Sequence, residues 1–74
     1  MEEKVKQIMA NIFAVDTSAI NENAAPGKIK TWDSLRHMKM VVALEEEFGI
    51  ELEPEDISQM LNYKLILNII QEKL

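Results

Sequence analysis

Val5, Ile8, Met9, Ile12 and Phe13 fall at i, i+3, i+4, i+7 and i+8. That spacing lays one apolar stripe along a helix, and the pattern predicts a first helix over residues 2–14. The stretch that follows is built of turn formers, Asp16-Thr17-Ser18 and then Asn21 to Gly27, with Pro26-Gly27 breaking any regular element. It predicts a long loop, anchored by the aliphatic side chains of Ile20 and Ile29 and ending at Ser34. Loops of this length in compact domains are usually functional or disordered.

A second helix is predicted over residues 33–48. At about 100° per residue, Leu35, Met38, Met40, Val41, Val42, Leu44 and Phe48 sweep an arc of roughly 220°. Arg36, Lys39, Ala43, Glu46 and Glu47 stay outside it. One buried face is narrower than that. Either this helix is central and touches several others, or one edge of the arc, marked by Leu35 and Val42 with Lys39 between them, is open to a partner. Gly49 suits the position that ends a helix, and Ile50-Glu51-Leu52 reads as a short extended link. Pro54 then opens a short third helix, with Glu55 and Asp56 near its positive end and Ile57 and Met60 inward. Asn62 is an N-cap for a last helix in which Tyr63, Ile66, Leu67, Ile70 and Leu74 recur at helical spacing. No strand-like alternation occurs. The expected fold class is therefore all-α, a small four-helix bundle of three longer helices and one short one. Met9, Met38, Met40 and Met60 lean inward, and either fill an irregular core or let the bundle open around a guest.

At 74 residues the expectation is a single domain, 1–74, near the lower size limit. Cysteine is absent, so there is no disulfide, no thiolate zinc site and no thiol nucleophile; thiol chemistry has to be imported. No apolar run approaches the roughly 20 residues needed to cross a bilayer, and Met1-Glu2-Glu3-Lys4 starts as cytosolic helices do. A soluble, monomeric, cytoplasmic protein without membrane insertion is expected. The net charge of −5 excludes nucleic-acid binding through clustered cations. Its distribution is uneven: Glu45, Glu46, Glu47, Glu51, Glu53, Glu55 and Asp56 form a run without a basic residue, while Lys28, Lys30, Arg36 and Lys39 surround Ser34 in sequence. The acidic run serves either as a solvated surface or as a binding surface.

Chemistry concentrates at Trp32-Asp33-Ser34-Leu35. Asp33 suits the N-cap of the second helix, whose first turn leaves N–H groups unsatisfied and carries partial positive charge. A phosphate ester on Ser34 would be favoured there. The segment from Asp33 through Leu44-Glu45-Glu46-Glu47-Phe48-Gly49-Ile50 resembles the prosthetic-group region of acyl carrier proteins, and the order of elements extends the resemblance over the whole chain. The resemblance implies an acyl carrier bundle that catalyses nothing. It implies 4′-phosphopantetheine, taken from coenzyme A by a phosphopantetheinyl transferase, on Ser34 between Asp33 and Leu35. It also implies docking of acyl- or aminoacyl-loading and acyl-transferring enzymes on Leu35, Arg36, Lys39 and Val42. Fatty-synthase carriers usually have a glycine and a small residue before the Asp and acid after the Ser-Leu pair; here Trp32 precedes, and Arg36, His37 and Lys39 follow. Trp-Asp-Ser-Leu looks more like the dedicated carriers of specialised pathways. The Gly-Gly-His/Asp-Ser motif of peptidyl carriers is missing. An aminoacyl or peptidyl carrier, or a small helical interaction domain with an unmodified Ser34, remains as an alternative.

His37 lies three residues beyond Ser34, close enough on a helix to suggest a Ser–His hydrolase. Such a site also needs an orienting group and an oxyanion hole, for which a small bundle has little room. A single imidazole, no thiolates and no calcium-loop spacing predict no metal site. Trp32 is expected to cover the loop rather than to stack on a ligand.

Overall fold

A computed structural model describes all 74 residues. Helix α1 spans Glu2–Phe13 and buries Val5, Met9, Ala10 and Phe13. It stops one residue short of the sequence expectation, because Ala14 turns left-handed (φ 56°) and Val15 N–H reaches back to the Ala10 carbonyl at 3.0 Å. No glycine announces this stop; the returning backbone bond holds an alanine in a conformation normally left to glycine.

The predicted long loop is ordered by its own side chains. Asp16 accepts from Ser18 N–H (3.2 Å) and opens a 3₁₀ turn over Thr17–Ala19. Asn21 accepts from Asn23 N–H (2.9 Å), and both are the side-chain turns that Asx residues favour. Ile20 and Ile29 are buried, as the sequence suggests, and Ala24 and Trp32 join them in the core. Ala24 is invisible to a search for large anchors. Its carbonyl accepts from Tyr63 N–H at 3.0 Å, which explains the close approach that a small side chain permits. The expected role of Trp32 as a cover is corrected here: it is a core residue, packed on Phe13 with ring centroids 4.6 Å apart.

Helix α2 spans Ser34–Phe48 with Asp33 as its N-cap and Gly49 (φ 61°) as its left-handed end. Helix α3 is Pro54–Gln59 and α4 is Tyr63–Lys73, capped by Asn62, which accepts from Leu65 N–H at 2.8 Å. All four are helices and no strand occurs. Helix α1 packs against α2, and α3 against α4. The α2 arc is divided: Met40, Val41 and Leu44 are buried, whereas Leu35 (66% exposed), Val42 (50%) and Met38 (46%) are not. The open-edge alternative is the one the chain adopts, and Met38 leaves the group of inward methionines. In α4, Ile69 takes the inward place expected for Leu74, which is exposed at the helix's C-cap.

The core holds 17 buried residues and no buried charged one. Tyr63 is its one misfit, since its hydroxyl is buried without a hydrogen-bond partner. Burial, together with Glu2 and Glu3, pushes that hydroxyl above its ordinary range. An unpartnered buried polar group costs about 1–3 kcal/mol. Tyr63→Phe should therefore raise the melting temperature, by about 4–8 °C for each kcal/mol recovered; a lower melting temperature would show that the hydroxyl is satisfied in solution.

The only ion pair joins Lys73 Nζ to Asp56 Oδ2 at 2.9 Å, tying the last turn of α4 to the first turn of α3. The hydrogen bond from Lys73, then that from Glu53 N–H, holds the Asp56 carboxyl below the usual carboxylate range. A depressed carboxylate contributes stability that is complete above its unfolded value of about 4 and is lost as pH falls through the folded value. Asp56→Asn should flatten the melting curve's dependence on pH below about 4. An acid limb as steep as that of wild type would remove Asp56 from the account.

Candidate functional site

Ser34 stands exposed at the first helical position of α2. What holds it there is the cap, Asp33, and the packing of Trp32 on His37 around it. Asp33 Oδ1 accepts from Arg36 N–H at 2.8 Å, which satisfies one free donor of the first turn and leaves the serine hydroxyl uncommitted. Trp32, one residue before the cap, packs on His37, the fourth helical residue, with ring centroids 6.1 Å apart. This is the hydrophobic-staple register, which sets the direction in which a chain enters a helix.

The staple here also carries hydrogen bonds. Trp32 Nε1–H donates to His37 Nδ1 at 2.9 Å. An indole nitrogen only donates, so Nδ1 is the bare nitrogen and Nε2 carries the proton. Nε2–H then donates to the Ile57 carbonyl at 3.0 Å, in α3. Both imidazole nitrogens are thus occupied, and the hydrolase considered from sequence finds no base: His37 shares the first turns of α2 with Ser34 but turns its ring to Trp32 and Ile57. The chain of bonds runs loop to α2 to α3.

Beside Ser34, α2 and α3 leave an open groove of about 830 Å³. Met38, Ile57, Met60 and Leu61 give it apolar walls, with Pro26 and Pro54 at its margins. Ser58 also lines it, but its hydroxyl donates to the Glu55 carbonyl at 2.9 Å. Sequence reasoning missed this groove because Leu61 and Pro26 come from segments that no helical period connects to Ser34. Of the residues expected to form a docking surface, Leu35, Lys39 and Val42 lie exposed along one face of α2 at i, i+4 and i+7, and Arg36 is half-buried at its flank. Neither cation has an acidic partner.

The acidic run is more structural than its composition suggests. Glu45 Oε2 accepts from Leu52 N–H at 2.9 Å, bracing the link between α2 and α3, and Asp56 Oδ2 accepts from Glu53 N–H at 2.9 Å. The others are spread along exposed surface, and no three acidic, histidine or cysteine side chains converge as a metal site would require. No helix is long and apolar enough to cross a membrane.

No protein-family model matches the chain. Individual proteins do. An acyl carrier protein of Solidesulfovibrio magneticus is 34% identical over 71 residues, covering 96% of this chain and 91% of the relative. One from Thermosynechococcus vestitus is also 34% identical, over 96% of this chain and 88% of its own. The solution structure of a holo acyl carrier protein from Geobacter metallireducens superposes with a TM-score of 0.86 over 97% of this chain and 83% of that one, at 22% identity. The last comparison establishes the fold, and the expected bundle is the one found. With a third of its residues shared along nearly its whole length, this chain belongs to the acyl carrier protein family.

Proposed function

We propose that this protein carries acyl groups as thioesters on a 4′-phosphopantetheine arm attached to Ser34, for the enzymes of a specialised biosynthetic pathway. The observation that carries the reading is an exposed, uncommitted serine hydroxyl fixed at the mouth of α2 beside an apolar groove. A phosphodiester at that position would lie against the positive end of a fifteen-residue helix. In the transfer, the Ser34 oxygen loses its proton and bonds to the pantetheine-bearing phosphorus of coenzyme A, and the adenosine-phosphate half leaves with the electrons of the broken P–O bond. When attached, the group supplies the thiol that this cysteine-free chain lacks. The protein itself catalyses nothing; tethering raises the cargo's effective concentration at each partner's active site.

The groove supports an acyl load over an aminoacyl one. Its walls are mainly apolar, and its imidazole and Ser58 hydroxyl are already bonded within the protein, so that away from the Asp33 carboxylate at its mouth an ammonium group would find little to replace its water. The specialised pathway rests on Trp32 and on the cations Arg36 and Lys39 beside the attachment point. Leu35 and Val42 supply apolar contact on that docking face, and the cytoplasm supplies coenzyme A and the transferase. Incubating the purified protein with coenzyme A, magnesium and a broad-specificity phosphopantetheinyl transferase should add one phosphopantetheine, mapped by peptide mass spectrometry to Ser34. An unchanged mass with several such transferases, or modification elsewhere, would overturn the carrier reading.

A further inference from the structure

The face of α2 that leads away from Ser34 combines two features seldom left together on a free surface. Leu35, Met38 and Val42 are each at least 46% exposed, and Arg36 and Lys39 stand among them without an acidic partner. Across the groove, Leu61 is 57% exposed and lines the same depression as Met38. The next turns of α2 reverse the sign, with Glu46 and Glu47 exposed. In a protein of net charge −5, the face of α2 from Leu35 to Val42, beyond the Asp33 cap, is a positive and apolar island.

We infer that the cognate enzyme of this carrier docks on Leu35, Met38, Lys39 and Val42 with an acidic surface surrounding an apolar depression. The inference rests on the carrier reading for the word enzyme, but the chemistry of the partner follows from the surface. Two unpaired cations next to three aliphatic side chains attract carboxylates and repel cationic patches at encounter. Burying the aliphatics then supplies the short-range contact, provided each cation meets a carboxylate rather than being desolvated alone. Like charge across the interface excludes enzymes with basic docking faces, which gives the carrier selectivity by repulsion as well as by fit.

Two amphipathic helical peptides with the same leucines test this, one bearing Glu and the other Lys at every polar position. Each is titrated into the isotope-labelled protein at low salt while backbone amide shifts are followed. The Glu peptide should move the amides of residues 34–42, weaken as salt is added, and bind at least about tenfold less tightly to Arg36→Glu/Lys39→Glu. The Lys peptide should instead move residues 45–56. Arg36→Gln/Lys39→Gln should fall between wild type and the reversal, and the same spectra show whether each variant is folded. A Glu peptide that binds wild type and the reversal equally, that moves residues outside α2, or that does not bind at millimolar concentration overturns the inference. Ser34→Ala should bind the Glu peptide as wild type does. A protein that takes the peptide but not phosphopantetheine therefore refutes the carrier reading alone, and one that takes phosphopantetheine but not the peptide refutes the acidic partner alone.

Discussion

Ser34→Ala should abolish phosphopantetheine loading completely while leaving the melting temperature almost unchanged. The separation follows from the way the helix start is built. Capping is done by Asp33, whose side chain takes the Arg36 N–H, and the approach of the chain is set by Trp32 and His37. The Ser34 hydroxyl contributes to neither. Alanine is at least as good a helix former at an exposed first-turn position, so the change in stability should stay within about 0.5 kcal/mol. Loading has no such reserve, because a methyl group offers no oxygen to the phosphorus. The chain's other serines are poorly placed to substitute. Ser18 sits in a 3₁₀ turn held by Asp16, and the Ser58 hydroxyl is bonded to the Glu55 carbonyl on a six-residue helix. Intact-mass measurement after exhaustive transferase treatment, paired with a thermal melt, checks both halves. Residual loading of the variant would move the attachment point; a large fall in melting temperature would show that the hydroxyl is structural.

The local rules were readable in the sequence, and the long-range ones were not. Asp33, Gly49, Pro54 and Asn62 each mark a helix boundary through backbone chemistry confined to three or four residues, and each boundary falls where that chemistry requires. The end of α1 escaped because Ala14 has no intrinsic preference for a left-handed conformation and is held there by backbone bonds from the turn. The width of the apolar arc on α2 signalled that something was unusual without saying which part would stay uncovered. That depended on long-range packing, including that of α1 against α2, which leaves Met40, Val41 and Leu44 buried and Leu35 and Val42 exposed. His37 shows the limit most clearly. Three residues from a serine it suggests catalysis, and only the positions of the Trp32 indole and the Ile57 carbonyl, the latter twenty residues away, reveal that it is a structural bridge. The groove was hidden for the same reason, being bounded by residues from the loop, α2, α3 and the link before α4.

Trp32→Ala should be the most damaging single substitution near the site. The side chain is 6% exposed and stacks on Phe13, and truncating a buried tryptophan costs about 3–5 kcal/mol. The variant also leaves His37 Nδ1 without its donor, so the imidazole loses the bond that orients it toward Ile57. Against a total of roughly 4–11 kcal/mol for a domain of this length, the protein should be marginally folded at best. At about 4–8 °C per kcal/mol, a fall in melting temperature of about 12–40 °C is expected where a transition survives. Trp32→Phe helps to separate the two contributions, because it keeps a six-membered ring to pack on Phe13 while removing the N–H together with part of the indole's volume. Its cost should be nearer 1–2 kcal/mol, and His37→Gln, whose amide can both accept and donate, should be milder than His37→Ala. If Trp32→Phe is as harmful as Trp32→Ala, the hydrogen bond to His37 outweighs the packing. If both are harmless, the staple does not hold the start of α2, and the placement of Ser34 must rest on the Asp33 cap alone.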